Sequence, residues 1–258
     1  MDLRLAGRVY IVSGASSGLG LASARELAGD GARLVLCARD EERLGAASGE
    51  VGQPDDVLPI AGDLASPSTA DSLVAAALAR FARLDGAVIS VGGPPAGSAS
   101  AVADEVWRSS FDSVFLGPLR LARTVLDAGE GEGAGEGRSI TFVLSSTVRS
   151  PIARLGISNG LRPGLAMVAK ALADEYGPAG ARVNVLLPGR IDTDRVRSLD
   201  EATGRAGAAR REFEATVPLR RYGRPEEFGR AAAFLASPAV SYITGAALTV
   251  DGGLTRVI

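Results

Sequence analysis

The chain contains no histidine, a single cysteine and, among its 28 lysines and arginines, a single lysine, Lys170. The missing histidine removes the commonest general base and metal ligand. A Ser-His-Asp hydrolase and a histidine-bearing zinc site are therefore excluded, and no metal is expected. Cys37 stands alone and cannot form an internal disulfide. The opening segment MDLRLAGRVYIVSG lacks the charged, apolar, small-residue order of a secretion signal. No apolar run is long enough to cross a bilayer. Together these point to a reducing, cytoplasmic setting with no membrane partner. The formal net charge of −2 supplies no overall basic field, which argues against a nucleic-acid partner.

What is present is apolar residues at 46% and charged residues at 22% of 258 positions, enough for a large core. Short β-branched runs at 8–13, 33–38, 57–61, 86–90, 139–145, 182–187 and 247–250 predict strands. Between them, Ala/Leu/Arg patterns at helical spacing cover 18–29, 68–81, 103–128, 160–176 and 225–236. This alternation predicts one α/β domain over 1–258. The expected fold is Rossmann-type and doubly wound, with a mostly parallel seven-stranded sheet and helices on both faces. In such sheets ligands bind beyond the carboxyl ends of the strands. Two segments break the pattern. The Gly/Glu tract at 129–139 reads as a surface loop. The charged, Ala-rich stretch 191–217 reads either as a solvated helical excursion or as a lid over the substrate.

The segment VYIVSGASSGLG runs from strand through Gly14, Ala15, Ser16, Ser17, Gly18, Leu19 and Gly20 into a helix. Glycines permit the tight turn and a close backbone approach. The helix start offers unpaired N–H groups and a positive dipole end to a pyrophosphate.

With this Gly-x-x-x-Gly-x-Gly turn the chain resembles the classical short-chain dehydrogenase/reductase family, and the resemblance runs along nearly its whole length. Asp63 and Leu64 follow the third strand, as the family's adenine-contacting pair does. Trp107 opens the long fourth helix region. Pro188, Gly189, Arg190, Ile191, Asp192 and Thr193 are similar to the turn that holds the nicotinamide carboxamide. Ser90 and Gly92 stand in the stretch after the fourth strand that lines the cofactor. The ending PLRRYGRPEEFGRAAAFLASPAVSYITGAALTVDGG resembles the 3-oxoacyl-carrier-protein reductase-like members. Aligned with the family, Ala38 stands where an NAD-preferring site needs a carboxylate for the ribose hydroxyl. Arg39, next to it, could pair with a 2′-phosphate, or be a solvated helix-start residue. The resemblance thus implies NADP(H) as preferred cofactor, with NAD(H) open. It also implies a small carbonyl or alcohol substrate and a homotetramer or homodimer. Small apolar positions at Ala166, Ala169, Ala173 and 240–247 suit such a subunit contact, and equally suit packing within the chain.

The family's Tyr-x-x-x-Lys pair is absent. Lys170 has Ala166 four residues before it. Tyr10, Tyr176, Tyr222 and Tyr242 are followed at that spacing by Gly14, Gly180, Glu226 and Ala246. Aligned with the family, Ser158 takes the tyrosine place, Arg162 the lysine place and Val114 the asparagine place. The family's serine survives as Ser145 or Ser146. Arg162 can supply charge and ribose hydrogen bonds but cannot shuttle protons, because an arginine pKa exceeds about 12. Ser158 can donate a hydrogen bond to a developing alkoxide but is a poor proton source. It is equally a good helix N-cap. Arg149 and Arg154 lie between the serines and Ser158. They could attract an anionic substrate or carrier, or simply be solvated. The chain resembles a subset of the reductase-like members with Gly-Gly-Pro-Pro after the fourth strand, here 92–95, and Ser-x-x-x-Arg in place of Tyr-x-x-x-Lys. Two readings follow: an oxidoreductase with non-standard proton delivery, or a dinucleotide-binding pseudoenzyme with a regulatory or structural role.

Overall fold

Seven short β-branched runs become seven strands in the computed structural model, which describes residues 2–128 and 137–257. They are β1 (Val9–Ser13), β2 (Arg33–Ala38), β3 (Val57–Ala61), β4 (Gly86–Ser90), β5 (Ser139–Val143), β6 (Arg182–Pro188) and β7 (Ala247–Val250). Their order is β3-β2-β1-β4-β5-β6-β7, and all six pairings are parallel rather than mostly so. The expected Gly/Glu loop lies, over 129–136, outside the described residues.

Period-2 alternation sends side chains to two cores. Val9 and Ile11 face one, with Leu73 of α3 (Thr69–Phe81), Leu121 of α5 (Gly117–Asp127) and Leu165 of α6 (Gly156–Tyr176). Tyr10 and Val12 face the other, with Leu27 of α1 (Gly18–Gly29), Leu44 of α2 (Glu41–Val51) and Phe228 of α9 (Pro225–Ala236). Ala169 and Ala173 are 1% and 3% exposed inside the first core, so they pack within the chain and are not available to a second copy.

The chain crosses from β3 over to β4 on the far side of β1, so the strand order reverses between β1 and β4. A crevice opens at their carboxyl ends at such a point. The two ends are locked together there. Ser13 Oγ donates to the Ser90 carbonyl at 2.7 Å and accepts from the Ser90 N–H at 3.0 Å.

Two helices depart from the sequence expectation, both beside this crevice. The expected helix over 103–128 is split into α4 (Asp104–Phe111), a π-helical turn (Asp112–Leu116) and α5. Pro118 has no N–H to give to the carbonyl of Val114, and a Cβ on Gly117 would lie 2.4 Å from the Leu64 carbonyl oxygen. The wider turn accommodates both constraints. Helix α6 starts at Gly156, not Gly160. Its first residue is strapped to the loop after β4: Gly156 N–H donates to Gly97 O at 2.9 Å, and Gly97 N–H to Arg154 O at 2.7 Å. Ser158 is therefore inside the first turn of α6, and the N-cap position belongs to Leu155. Of the two roles open to Ser158, N-capping is not the one it has, because a tertiary contact starts the helix before its best local cap.

The stretch 191–217 forms α7 (Asp194–Glu201) and α8 (Ala206–Glu214). Ion pairs tie it down. Asp192 accepts from Arg197 at 2.7 Å and Arg210 at 3.0 Å. Against the upward push of burial, those bonds hold its carboxyl below the usual range. Asp200 is 6% exposed and accepts from Arg190 and from the Tyr222 hydroxyl, both at 3.0 Å. Arg190 stacks over Phe213 and Arg210 over Tyr222.

Candidate active site

The glycine turn gathers at the crevice because nothing larger fits. Gly14 and Gly18 have φ of +62° and +56°, a region that favours glycine. A Cβ on Gly14 would lie 2.7 Å from the Ser90 carbonyl oxygen, and one on Gly20 would lie 2.2 Å from that of Gly14. Ser17 flanks α1 in extended conformation and makes no side-chain cap bond. The first N–H groups of α1 therefore point into a cradle without a side-chain acceptor from the cap, which suits a phosphate oxygen. Ser16, Ser17 and Leu19 are half-buried along this turn.

The other expected cofactor residues lie at or beyond the carboxyl ends of the strands. Arg39 is exposed just past β2. Asp63 accepts from the N–H of Ala65 at 2.9 Å, and Leu64 is buried behind it. Ser90 ends β4, and Gly92 is exposed beyond it. Pro188 ends β6, Gly189 packs against Asp251, and Ile191 is buried. Thr193 caps α7 from an extended backbone, and its methyl would lie 3.7 Å from a Cβ on Gly18. Thus the start of the 191–217 excursion lies against the glycine turn.

At the end of β5, Ser145 flanks a 3-10 turn (Ser146–Val148), and its Oγ accepts from the Thr147 N–H at 3.1 Å. Ser146 is half-buried. The hydroxyl that meets Ser158 belongs to Thr147: the two oxygens are 3.2 Å apart. Arg162, one turn further along α6, is 5% exposed. Its Nη1 donates to the carbonyls of Val143 at 3.1 Å and Leu144 at 2.8 Å. Burial, with Arg195 as a second cation, pushes the guanidinium down to about 10, so it stays charged at neutral pH. Val114 is buried in the π turn and brings no polar side chain. Arg149 and Arg154 are exposed on the loop between.

No tyrosine joins these groups. The Tyr10 hydroxyl donates to Ala236 O, that of Tyr176 to Asp127 and that of Tyr222 to Asp200, while Tyr242 is fully exposed. The arrangement offers hydroxyl donors and fixed positive charge to a developing oxyanion. Two of its members, Thr147 and Arg195, went unmarked by sequence reasoning. Thr147 sits in a Ser-Ser-Thr run with no spacing to single it out, and Arg195 is one arginine among several in 190–211.

A parallel sheet with a glycine cradle at its switch point defines a Rossmann-type dinucleotide-binding domain. Comparison with known proteins supplies the family. A family model described as enoyl-(acyl carrier protein) reductase matches residues 14–255. The 3-oxoacyl-[acyl-carrier-protein] reductase FabG of Escherichia coli strain K12 is 32% identical over 253 residues, covering 97% of this chain and 98% of that protein. L-sorbose reductase from Gluconobacter frateurii, solved with NADPH and L-sorbose, superposes with a TM-score of 0.92 at 29% identity over 100% of both chains. A variant of actinorhodin polyketide ketoreductase, solved with NADPH, does so with a TM-score of 0.90 at 29% identity over 97% of this chain and 98% of that one. The chain belongs to the short-chain dehydrogenase/reductase family of oxidoreductases. Among its described residues no helix is long and apolar enough to cross a membrane.

Proposed function

We propose that the chain is an NADP(H)-dependent oxidoreductase that interconverts a ketone or aldehyde and an alcohol with a non-standard active site. The observation that carries this reading is the glycine cradle, with α1 uncapped toward it, opening beside the hydroxyls and guanidinium at the end of β5. The bound dinucleotide would supply the hydride to, or accept it from, the substrate carbon. The chain's own residues would hold the substrate oxygen. Ser158, Ser145 and Ser146 offer hydroxyl donors, and Arg162 stabilises negative charge on that oxygen. The proton comes from water, since neither a serine nor an arginine releases one readily near pH 7. Loss of a tuned acid costs about 10²–10⁴-fold in rate, so turnover is expected to be slow but measurable. The excursion at 191–217 serves as the substrate lid, because α7 reaches from the phosphate turn to the loop after β4.

Long-incubation NADPH oxidation over ketones, quinones and 3-oxoacyl thioesters tests this. Ser158→Ala is expected to lower any measured kcat about tenfold or more, as loss of one oxyanion donor does, with the NADPH Kd unchanged. Tight NADPH binding with no turnover on the whole panel would favour a pseudoenzyme with a regulatory or structural role. One observation leans that way: Arg162 already serves two carbonyls, and the Ser158 hydroxyl already faces Thr147.

For the cofactor, Ala38 offers no carboxylate and Arg39 is exposed at the β2 end, which supports NADP(H) over NAD(H). A charge-assisted contact with a 2′-phosphate stabilises by about 1.5–3 kcal/mol. Arg39→Ala is therefore expected to weaken NADPH about ten- to hundredfold in a fluorescence titration and to leave NADH alone. Equal loss for both dinucleotides would place Arg39 away from the phosphate.

A homotetramer or homodimer is the proposed assembly. Phe111, 41% exposed and stacked on Phe115, and Met167, 71% exposed, supply one apolar face. Tyr242 and the β7 edge residue Leu248, 38% exposed, supply another.

A further inference from the structure

Past Thr193, α7 sends one side chain back across the crevice. Arg195 donates from Nη1 to Gly93 O and from Nη2 to Pro94 O, both at 3.1 Å. The contact is so close that a Cβ on Gly93 would lie 2.0 Å from the guanidinium carbon. Gly93 lies three residues beyond Ser90, the end of β4, and Ser90 pairs in register with Val143, whose carbonyl holds Arg162. Two guanidinium groups thus collect at the carboxyl ends of β4 and β5. Burial first, and then the charge of Arg195, makes the Arg162 cation less favourable.

Among the described residues neither cation has an acid. In the same excursion and its lead-in, Arg190 pairs with Asp200, Arg197 with Asp192, Arg205 with Glu212 and Arg210 with Glu214. Among the described residues Arg195 and Arg162 bond backbone carbonyls alone. Arg162 is buried and Arg195 exposed beside it, and an anion brought between two such cations relieves their mutual repulsion. The cofactor phosphates are one source of such an anion. Their cradle lies at the start of α1, where the Thr193 methyl, not Arg195, faces Gly18. Arg195 sits further along, over the loop after β4.

We propose that the Arg195 guanidinium, backed by Arg162, is a recognition site for a substrate carboxylate, so that the substrates are keto acids and the corresponding hydroxy acids. That these anions are substrates rests on the oxidoreductase reading above; the anion site itself does not.

Calorimetric titration of pyruvate, acetoacetate and 2-oxoglutarate, each beside its methyl ester, reads the site without turnover. It is run with and without saturating NADP+. At least one acid is expected to bind about tenfold or more tighter than its ester. Arg195→Met is expected to remove that preference and leave the NADP+ Kd unchanged, while Arg195→Lys retains part of it. Gly93→Ala should also remove it, because the new methyl displaces the end of a flexible side chain rather than backbone. That variant stands in should Arg195→Met fail to fold. Equal or absent binding of acids and esters by the unaltered protein overturns the proposal. So does an Arg195→Met protein that keeps the acid preference and loses NADP+ affinity, which would assign the charge to the cofactor phosphates. A clear acid preference with no NADPH oxidation on any compound leaves the carboxylate site standing and sinks the oxidoreductase reading instead.

Discussion

Replacing Arg162 with methionine is expected to lower the free energy of unfolding by about 2–3 kcal/mol. A surface arginine would cost less than about 0.5 kcal/mol. Two effects oppose each other. Methionine removes a desolvated charge, which is favourable by itself. It also leaves the Val143 and Leu144 carbonyls without the donor that now reaches both. Leaving buried acceptors unpaired costs about 1–3 kcal/mol each, so the loss wins. The urea midpoint at constant slope measures it. Arg162→Lys keeps the charge but not the planar reach to both carbonyls, and should fall between. NADPH turnover is expected to drop in both variants, and further in the methionine one. A midpoint unchanged by Arg162→Met would show that these carbonyls do not depend on the guanidinium.

The second large effect is expected at Gly20. Its missing Cβ would lie 2.2 Å from the Gly14 carbonyl oxygen and 2.8 Å from that of Ser13. Both are backbone atoms of the turn and strand, so Gly20→Ala must push α1 off β1. Overpacking of this kind costs about 1–3 kcal/mol. The larger consequence is functional. The cradle's N–H groups belong to α1 itself, and each charge-assisted bond to a phosphate lost by such a shift, at about 1.5–3 kcal/mol, costs about ten- to a hundredfold. NADPH affinity is therefore expected to fall by about that factor in a fluorescence titration. Gly29, at the other end of the same helix, provides the contrast. A Cβ there would meet nothing within 4 Å. Gly29→Ala should leave NADPH binding intact and shift stability by less than about 1 kcal/mol, on the stabilising side. Equal losses in the two variants would mean that the glycines act through helix propensity and not through the cradle.

Much of the site's frame was legible in the chain because its signals are local. Short β-branched apolar runs marked β1 to β7, and the Gly14–Gly20 spacing marked the cradle, each within a dozen residues. The missing histidine and the missing Tyr-x-x-x-Lys pair could be read by inspection, and they limit the chemistry in any fold. The start of α6 was not legible. Ser158 and Asn159 look like a helix boundary, yet the bonds from Gly97 to Arg154 and from Gly156 to Gly97 begin the helix earlier. The π turn in place of a continuous helix depends on Pro118 together with the Leu64 carbonyl, which approaches from another part of the chain.

The sequence by itself determined the class of fold, the place where a phosphate could rest and the absence of a phenolic acid four residues before a lysine. Only the tertiary structure decided what the polar side chains do once there. It paired Ser158 with Thr147, spent one nitrogen of Arg162 on the β5 carbonyls, and carried Arg195 to a glycine 102 positions away. The physical reason is the range of the interactions. Backbone propensity and apolar periodicity act over a few neighbours and leave a repeating trace in sequence. A guanidinium's choice between a carboxylate and a carbonyl is made by whichever group folding brings within 3.1 Å, and no local pattern records it.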